Sequence, residues 1–229
     1  MEINNIDYKN MLSDEEISNI IASDLLKIEA VFLKPYDPFT WASGILSPIY
    51  CDNRLTLTST GVRNDVENGL ATLIKRHFNE AELIMGTATA GIAHAAITAN
   101  ILDLPMGYVR SSAKDHGRKN LIEGRLKRGQ KVVVVEDLIS TGGSVLSAVS
   151  ALREAGAEVI GIVSIFSYKM KKSEEVFKEN NIKNVSLTNF DRVIKTAVKE
   201  DYIEESSIKD LLAFRDNPSD ESWFKGAKQ

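Results

Sequence analysis

Cysteine is almost missing from the sequence: Cys51 stands alone among 229 residues, so it can close no internal disulfide and has no companions at metal-ligand spacing. A reducing compartment is the default expectation. Proline and glycine are sparse too, 5 and 14 residues, and with 43% hydrophobic and 26% charged residues this excludes a collagen-like, low-complexity or disordered chain. No apolar run approaches the roughly 18 residues of a membrane-spanning helix, and the opening Met1-Glu2-Ile3-Asn4 lacks the basic-then-apolar order of a secretory signal. The expectation is therefore cytoplasmic, with no membrane partner. Excess positive charge is absent as well: 28 Lys and Arg against 32 Asp and Glu give a net charge of -4, which offers nucleic acid no general attraction. What remains is a folded chain long enough for one domain with a sizeable core.

The pattern along the chain alternates between helical and strand periods. Ser13-Asp14-Glu15-Glu16 is a capping box, and apolar residues then recur at Ile17, Ile20, Ile21, Leu25, Leu26, Ile28 and Val31, which predicts a helix over about 14–34. Pro35 to Leu46 is punctuated by Pro, Asp, Ser and Gly and cannot continue it. Helical spacing returns over 60–78, followed by a short strand over 83–86, a helix over 91–102 and a strand ending at Arg110. Residues 111–125 carry Lys114, His116, Arg118, Lys119 and Arg125 with almost no core material, the composition of a mobile loop. Lys131-Val132-Val133-Val134-Val135 is too continuously apolar for a half-exposed strand and predicts a central one buried on both faces. A helix over 142–155 and a strand over 159–166 complete a strand-helix-strand crossover. Shorter pieces follow over 174–180, 185–188, 191–200 and 206–215. The sum is an α/β fold: an open, mainly parallel sheet of five or six strands with helices on both faces.

The chemistry concentrates in Val132 to Ser144. A buried strand delivers Glu136 and Asp137 to its carboxyl end, and Leu138-Ile139 leads into the small turn Ser140-Thr141-Gly142-Gly143-Ser144, which opens a helix. Ligands of open α/β sheets bind at that edge. The turn can aim several backbone N–H groups and three hydroxyls at one anion, and the helix N-terminus adds partial positive charge, so a phosphate fits. Carboxylates beside it can accept hydrogen bonds from sugar hydroxyls or hold a hydrated magnesium ion. Phosphate beside acid points to a phosphorylated sugar. No Gly-x-x-x-x-Gly-Lys-Ser/Thr occurs, so the turn is not a nucleotide-binding P-loop.

Four apolar residues, two acids, two residues and Ser-Thr-Gly-Gly-Ser resemble the fingerprint of the type I phosphoribosyltransferases. Three further segments resemble the orotate phosphoribosyltransferase branch of that family: Phe39 to Arg54, Gly86-Thr87-Ala88-Thr89-Ala90-Gly91-Ile92-Ala93, and Tyr108 to Gly117. The resemblance implies the type I fold as a single domain over 1–229, with residues 1–58 and about 190–229 forming a small cap over a base site. It implies orotate and phosphoribosyl pyrophosphate as substrates, with Ile49, Tyr50 and Ser140 at the orotate ring and Leu138 to Ser144 at the 5-phosphate. Glu136 and Asp137 would hold the ribose, Arg110, Lys114 and His116 the pyrophosphate. Lys114, His116, Glu136 and Asp137 are the catalytic set, and magnesium would be held mainly by substrate and water, with no direct ligand from the chain. A catalytic loop closing over a partner subunit implies a homodimer.

The sequence departs from some family members, which carry Lys where Ala42, Leu46, Ala90 and Ser111 stand here. One branch also uses an arginine for the orotate carboxylate where this chain reads Ser167-Tyr168-Lys169. Arg54 is a substitute candidate; an ion-paired structural arginine is the competing reading. Cys51 reads as a packing or pocket residue, His77 as a partner for a helix C-terminus, His94 as core or pocket edge, and Trp223 as an anchor for the C-terminal segment. Two rival functions are a purine phosphoribosyltransferase, opposed by the Phe39 to Arg54 segment, and a non-enzymatic phosphoribosyl pyrophosphate sensor, opposed by the acidic N-terminal helix and the Lys114 loop.

Overall fold

The computed structural model describes residues 12–41, 44–111 and 121–224. In chain order these form α1 (Asp14–Lys27), β1 (Val31–Leu33), β2 (Phe39–Thr40), β3 (Leu46–Ser47), β4 (Ile49–Cys51), a 3-10 turn (Asn53–Thr58), α2 (Thr60–His77), β5 (Leu83–Thr87), α3 (Gly91–Leu102), β6 (Met106–Val109) and β7 (Ile122–Glu123). They continue with β8 (Lys131–Ile139), α4 (Gly143–Glu154), β9 (Glu158–Ser167), α5 (Lys171–Glu179), β10 (Asn184–Asn189), α6 (Phe190–Lys199) and α7 (Ile208–Asp216). The main sheet has six strands in the order β10-β9-β8-β5-β6-β7, parallel throughout except for the edge strand β7. Two small antiparallel pairs, β1 with β4 and β2 with β3, stand outside it.

The valine run explains why β8 is central. Val132, Val133, Val134 and Val135 are all 0% exposed. Val133 and Val135 join the core formed by α1, α2, α3 and α6, whereas Val132 and Val134 join the one under α4 and α5. Each valine contributes about 1.5–3 kcal/mol of burial, and alternation along the strand sends that gain to both faces. A third packing centre is aromatic: Trp41 meets Tyr168 and Phe214 edge-on at 5.9 and 5.7 Å, and Phe214 meets Trp223 at 5.6 Å. Trp223, 3% exposed, is the anchor expected of it.

Two segments differ from the expectation. The first helix stops at Lys27, because Glu29 takes a left-handed φ of +58° and Val31 leaves the helical path to pair with Cys51. Its capping box is present as read, Ser13 and Glu16 each bonding the other's backbone N–H. The segment 111–125 also contains a strand: Ile122 and Glu123 pair with Val109 and Tyr108, and Ile122 is buried. One apolar side chain at the right register makes a hairpin stem that the surrounding charge conceals.

Candidate active site

The helices after two neighbouring strands depart to opposite faces. α3, after β5, packs in the core with α1 and α2; α4, after β8, packs in the other. A crevice opens at the carboxyl ends of strands where the sheet reverses in this way. Strand lengths enlarge it. The β5–β8 pairing ends at Gly86 and Val135, yet β8 runs on beside β9 to Ile139. Residues 136–139 therefore have one open side, and the two acids lie within the strand, ahead of its end. A cleft of about 200 Å³ lies beside it, lined by Thr87, Ala88, Arg110, Ser144 and Ser147 among others; residues 136–143 are not part of its lining.

Two glycines set the near wall. A Cβ on Gly91 would fall 2.6 Å from Thr87 Oγ1 and 2.6 Å from the Val135 carbonyl oxygen, so α3 starts in direct contact with the ends of both strands. On the far wall, Gly142 has φ +82°, which L side chains rarely adopt, and precedes α4 with no side-chain cap. The first N–H groups of α4 are thus without a side-chain acceptor, beside the exposed Thr141, Gly143 and Ser144 and the half-buried Ser140. This is an anion-binding geometry.

The acids adjoin the cleft through Thr87, which lines it and hydrogen-bonds Glu136. Glu136 is 7% exposed, and burial, then a carboxyl–carboxyl hydrogen bond with the Asp137 side chain, pushes its pKa up to about 8 against the opposing pull of the Thr87 hydroxyl and the Asp137 backbone N–H. The Asp137 N–H donates to Glu136 Oε1 at 3.0 Å. Among the described residues no three His, Cys, Asp or Glu side chains form a metal cage. Adjacent carboxyl groups can accept hydrogen bonds from hydroxyls or from the water shell of a divalent cation.

Arg110 completes the cleft. Its backbone N–H donates to Leu121 O at 2.8 Å across the β6–β7 stem, and its guanidinium lies 3.9 Å from Glu123. One buried guanidinium nitrogen, Nη1, has no hydrogen-bond partner among the described residues. Such a nitrogen at a cleft wall is a ready donor to an anion. Lys114 and His116 lie outside the described residues.

Ile49 and Tyr50 are not walls of this cleft. The Ile49 side chain is 0% exposed, which leaves its backbone as the part able to meet a ligand; Tyr50 is 43% exposed, its ring 5.7 Å from that of Phe39. A residue that sequence reasoning missed links them to the acids. Asn53, 1% exposed, donates from Nδ2 to Asp137 O at 2.7 Å, and Cys51 Sγ donates to Asn53 Oδ1 at 3.4 Å. Asn53 lies inside the quoted 39–54 segment, but only its 84-residue reach to β8 reveals the role. Thr87, whose Oγ1 donates to Val135 O at 3.2 Å, was missed for the same reason.

Comparison with known proteins gives the same answer. A family model described as "Phosphoribosyl transferase domain" matches residues 63–201. The chain is 55% identical over 215 residues to orotate phosphoribosyltransferase of Bacillus subtilis (strain 168), covering 94% of this chain and 100% of the relative. It is 54% identical over 209 residues to that of Listeria monocytogenes serotype 4b (strain F2365), covering 91% and 99%. The crystal structure of orotate phosphoribosyltransferase from Aeropyrum pernix superposes with TM-score 0.70 at 27% identity, covering 80% of this chain and 99% of that one. The chain belongs to the orotate phosphoribosyltransferase family.

The structure places two residues that the departures raised. Tyr168, where one branch has arginine nearby, is 4% exposed among Trp41, Phe166 and Phe190, and burial drives its phenol well above its ordinary pKa. Arg54 is not a free cation for a carboxylate ligand: its Nε and Nη2 grip both oxygens of Asp52 at 2.7 Å, the structural reading. Burial and the nearby carboxylates of Asp137 and Asp52 push the Cys51 thiol well above its usual range, which leaves it little thiolate character. His77 bonds Asp14 at 2.7 Å, joining the last turn of α2 to the first of α1. His94 is core.

Proposed function

We propose that this chain transfers ribose 5-phosphate from phosphoribosyl pyrophosphate to orotate, yielding orotidine 5-phosphate and pyrophosphate. The observation that carries the reading is one cleft lined by the end of β5, by the first turn of α4, which has no side-chain cap, and by Arg110, whose Nη1 has no hydrogen-bond partner among the described residues, with Glu136 adjoining it through Thr87. The 5-phosphate takes the Ser140 to Ser144 turn, and Leu138 and Ile139 fix that turn by continuing the pairing with β9. The ribose hydroxyls donate to Asp137. Glu136, its pKa raised by burial and by the Asp137 side chain, shares its proton with Asp137 and so adds no second negative charge beside the ribose.

Displacement occurs at ribose C1. The ring nitrogen of orotate forms the new bond as the bond to pyrophosphate breaks, and charge grows positive on the sugar and negative on the leaving oxygens. Arg110, with Lys114 and His116 from the adjoining loop, stands where that negative charge appears, so its attraction is stronger in the transition state than before it. Asp137 would reach, through water, a magnesium ion brought with the pyrophosphate, and that ion would supply further charge neutralisation. The ring nitrogen of orotate is acidic, so no strong base is required of the chain. Ser140, Tyr50 and the Ile49 backbone orient the ring, beneath a cap drawn from residues 1–58 and about 190–229. The loop that bears Lys114 acts across the interface of a homodimer and excludes water, which would otherwise capture the sugar cation. The setting is cytoplasmic; among the described residues no helix is long and apolar enough to cross a membrane.

The test is the loss of orotate's ultraviolet absorbance on mixing with phosphoribosyl pyrophosphate and magnesium. Loss that requires enzyme, both substrates and the metal is the expected result; no loss with folded enzyme refutes the reading.

A further inference from the structure

Outside the cleft, two ionisable side chains lie wholly inside the protein. Glu67 of α2 and His94 of α3 are both 0% exposed. His94 Nδ1 is 2.7 Å from Glu67 Oε1, and Thr98 Oγ1 donates to Glu67 Oε2 at 2.9 Å. The other imidazole nitrogen, Nε2, is buried with no hydrogen-bond partner among the described residues. Burying these groups and leaving one nitrogen unsatisfied costs stability, and apolar side chains of similar volume would join two helices at least as firmly. Hydrogen bonds do what apolar contacts do not: they fix one register between helices that could otherwise slide.

That register reaches the crevice. Ala88 lines the cleft, and α3 begins three residues later at Gly91. Its first turn has no slack: besides the contacts of Gly91 with Thr87 and Val135, a Cβ on Gly86 would lie 2.7 Å from Gly91 O and 2.9 Å from Ala95 Cβ. His94 and Thr98 stand one and two turns farther along, where α3 meets α2. A shift of α3 along α2 must move the Thr87 to Ala90 turn, which Thr87 Oγ1 and the Ala88 N–H tie to Val135 and Val109. Ile49, Tyr50 and Ser140 belong to other elements and would not follow.

We propose that Glu67, His94 and Thr98 are positioning residues for phosphoribosyl pyrophosphate: their hydrogen-bonded cluster sets α3 against α2 and thereby holds the Thr87 to Ala90 turn in the cleft whose wall Thr87 and Ala88 share with Arg110. The proposal rests on the function given above. It separates the cluster's effect on one substrate from any effect on the other, and from its effect on stability.

The experiment compares the full-length wild type with three variants, measuring KM for each substrate, melting temperature and the dissociation constant of phosphoribosyl pyrophosphate by calorimetry. The triple variant Glu67→Leu/His94→Leu/Thr98→Val melts at or above the wild-type temperature but binds phosphoribosyl pyrophosphate about tenfold more weakly, with KM for orotate unchanged. Glu67→Gln keeps an acceptor for His94 and stays close to wild type in both constants. Wild-type affinity in the triple variant, or equal rises in both KM values, overturns the proposal. Should the triple variant not fold, Thr98→Val decides: about a threefold weaker dissociation constant is expected, and a wild-type value overturns it. A wild type inactive on orotate would refute the function alone, because the calorimetric comparison still judges the cluster.

Discussion

Glu136 makes the protein's stability depend on pH in a direction opposite to that of an ordinary ion-paired carboxylate. Its pKa is about 8 in the fold against 4.5 for a free glutamate. Between those values the folded chain holds a proton that the unfolded chain has released, so stability falls as pH rises and levels off above pH 8. From pH 5.5 to 7.5 the loss from this group is on the order of 2 kcal/mol, which for a chain of this length is several degrees in Tm. Glu136→Gln has the shape of the neutral acid and releases no proton, so its stability lacks this slope. Asp24, pushed up to about 6 by burial and by Asp65, adds a slope of the same sign at lower pH, but in both proteins alike. Urea unfolding of wild type and variant at pH 5.5, 6.5 and 7.5 isolates the difference. Curves that diverge by about 2 kcal/mol in favour of the variant as pH rises are expected, and parallel curves would refute the protonated, buried Glu136.

Further outcomes follow from the same geometry. At pH 7, Asp137→Asn lowers turnover about 100-fold, while Glu136→Gln, which mimics the protonated acid, lowers it less than about tenfold; steady-state rates on orotate check the order. Lys114→Ala lowers turnover about 100-fold with an unchanged circular dichroism spectrum, and an unchanged rate removes the loop from the mechanism. Gly142→Val forces a branched side chain into φ +82° and against Phe177, 3.1 Å from where its Cβ would sit, so it destabilises by about 2 kcal/mol and raises KM for phosphoribosyl pyrophosphate. Cys51, half-buried with a thiol pKa pushed above its usual range, reacts more slowly with thiol reagents at pH 8 in the folded protein than in urea.

The parts of this fold legible in the sequence are those whose cause is local. The four valines of β8 announce a strand covered on both faces, and the spacing of Val62, Val66, Leu70 and Ile74 gives α2 almost to the residue. Where a distant partner decides, local pattern misleads: Ile28 and Val31 keep the helical rhythm of α1, yet Val31 belongs to a strand because Cys51 is there to pair with it. The turn from β8 into α4 was legible because one short segment holds strand, acids, glycines and helix start together. Asn53, Thr87 and the Glu67–His94 contact were not, since each acquires its meaning from a residue 84, 48 or 27 positions away. The roles of Lys114 and His116 come from family resemblance, and those residues lie outside the described structure.

The most direct test of the central claim sets three bases in competition. Purified protein with phosphoribosyl pyrophosphate and magnesium is given orotate, hypoxanthine or adenine, and each base's absorbance is followed together with pyrophosphate release. Consumption of orotate alone, with one pyrophosphate released per base, is the predicted result. Turnover of a purine instead, or tight binding of phosphoribosyl pyrophosphate with no base consumed, would contradict it.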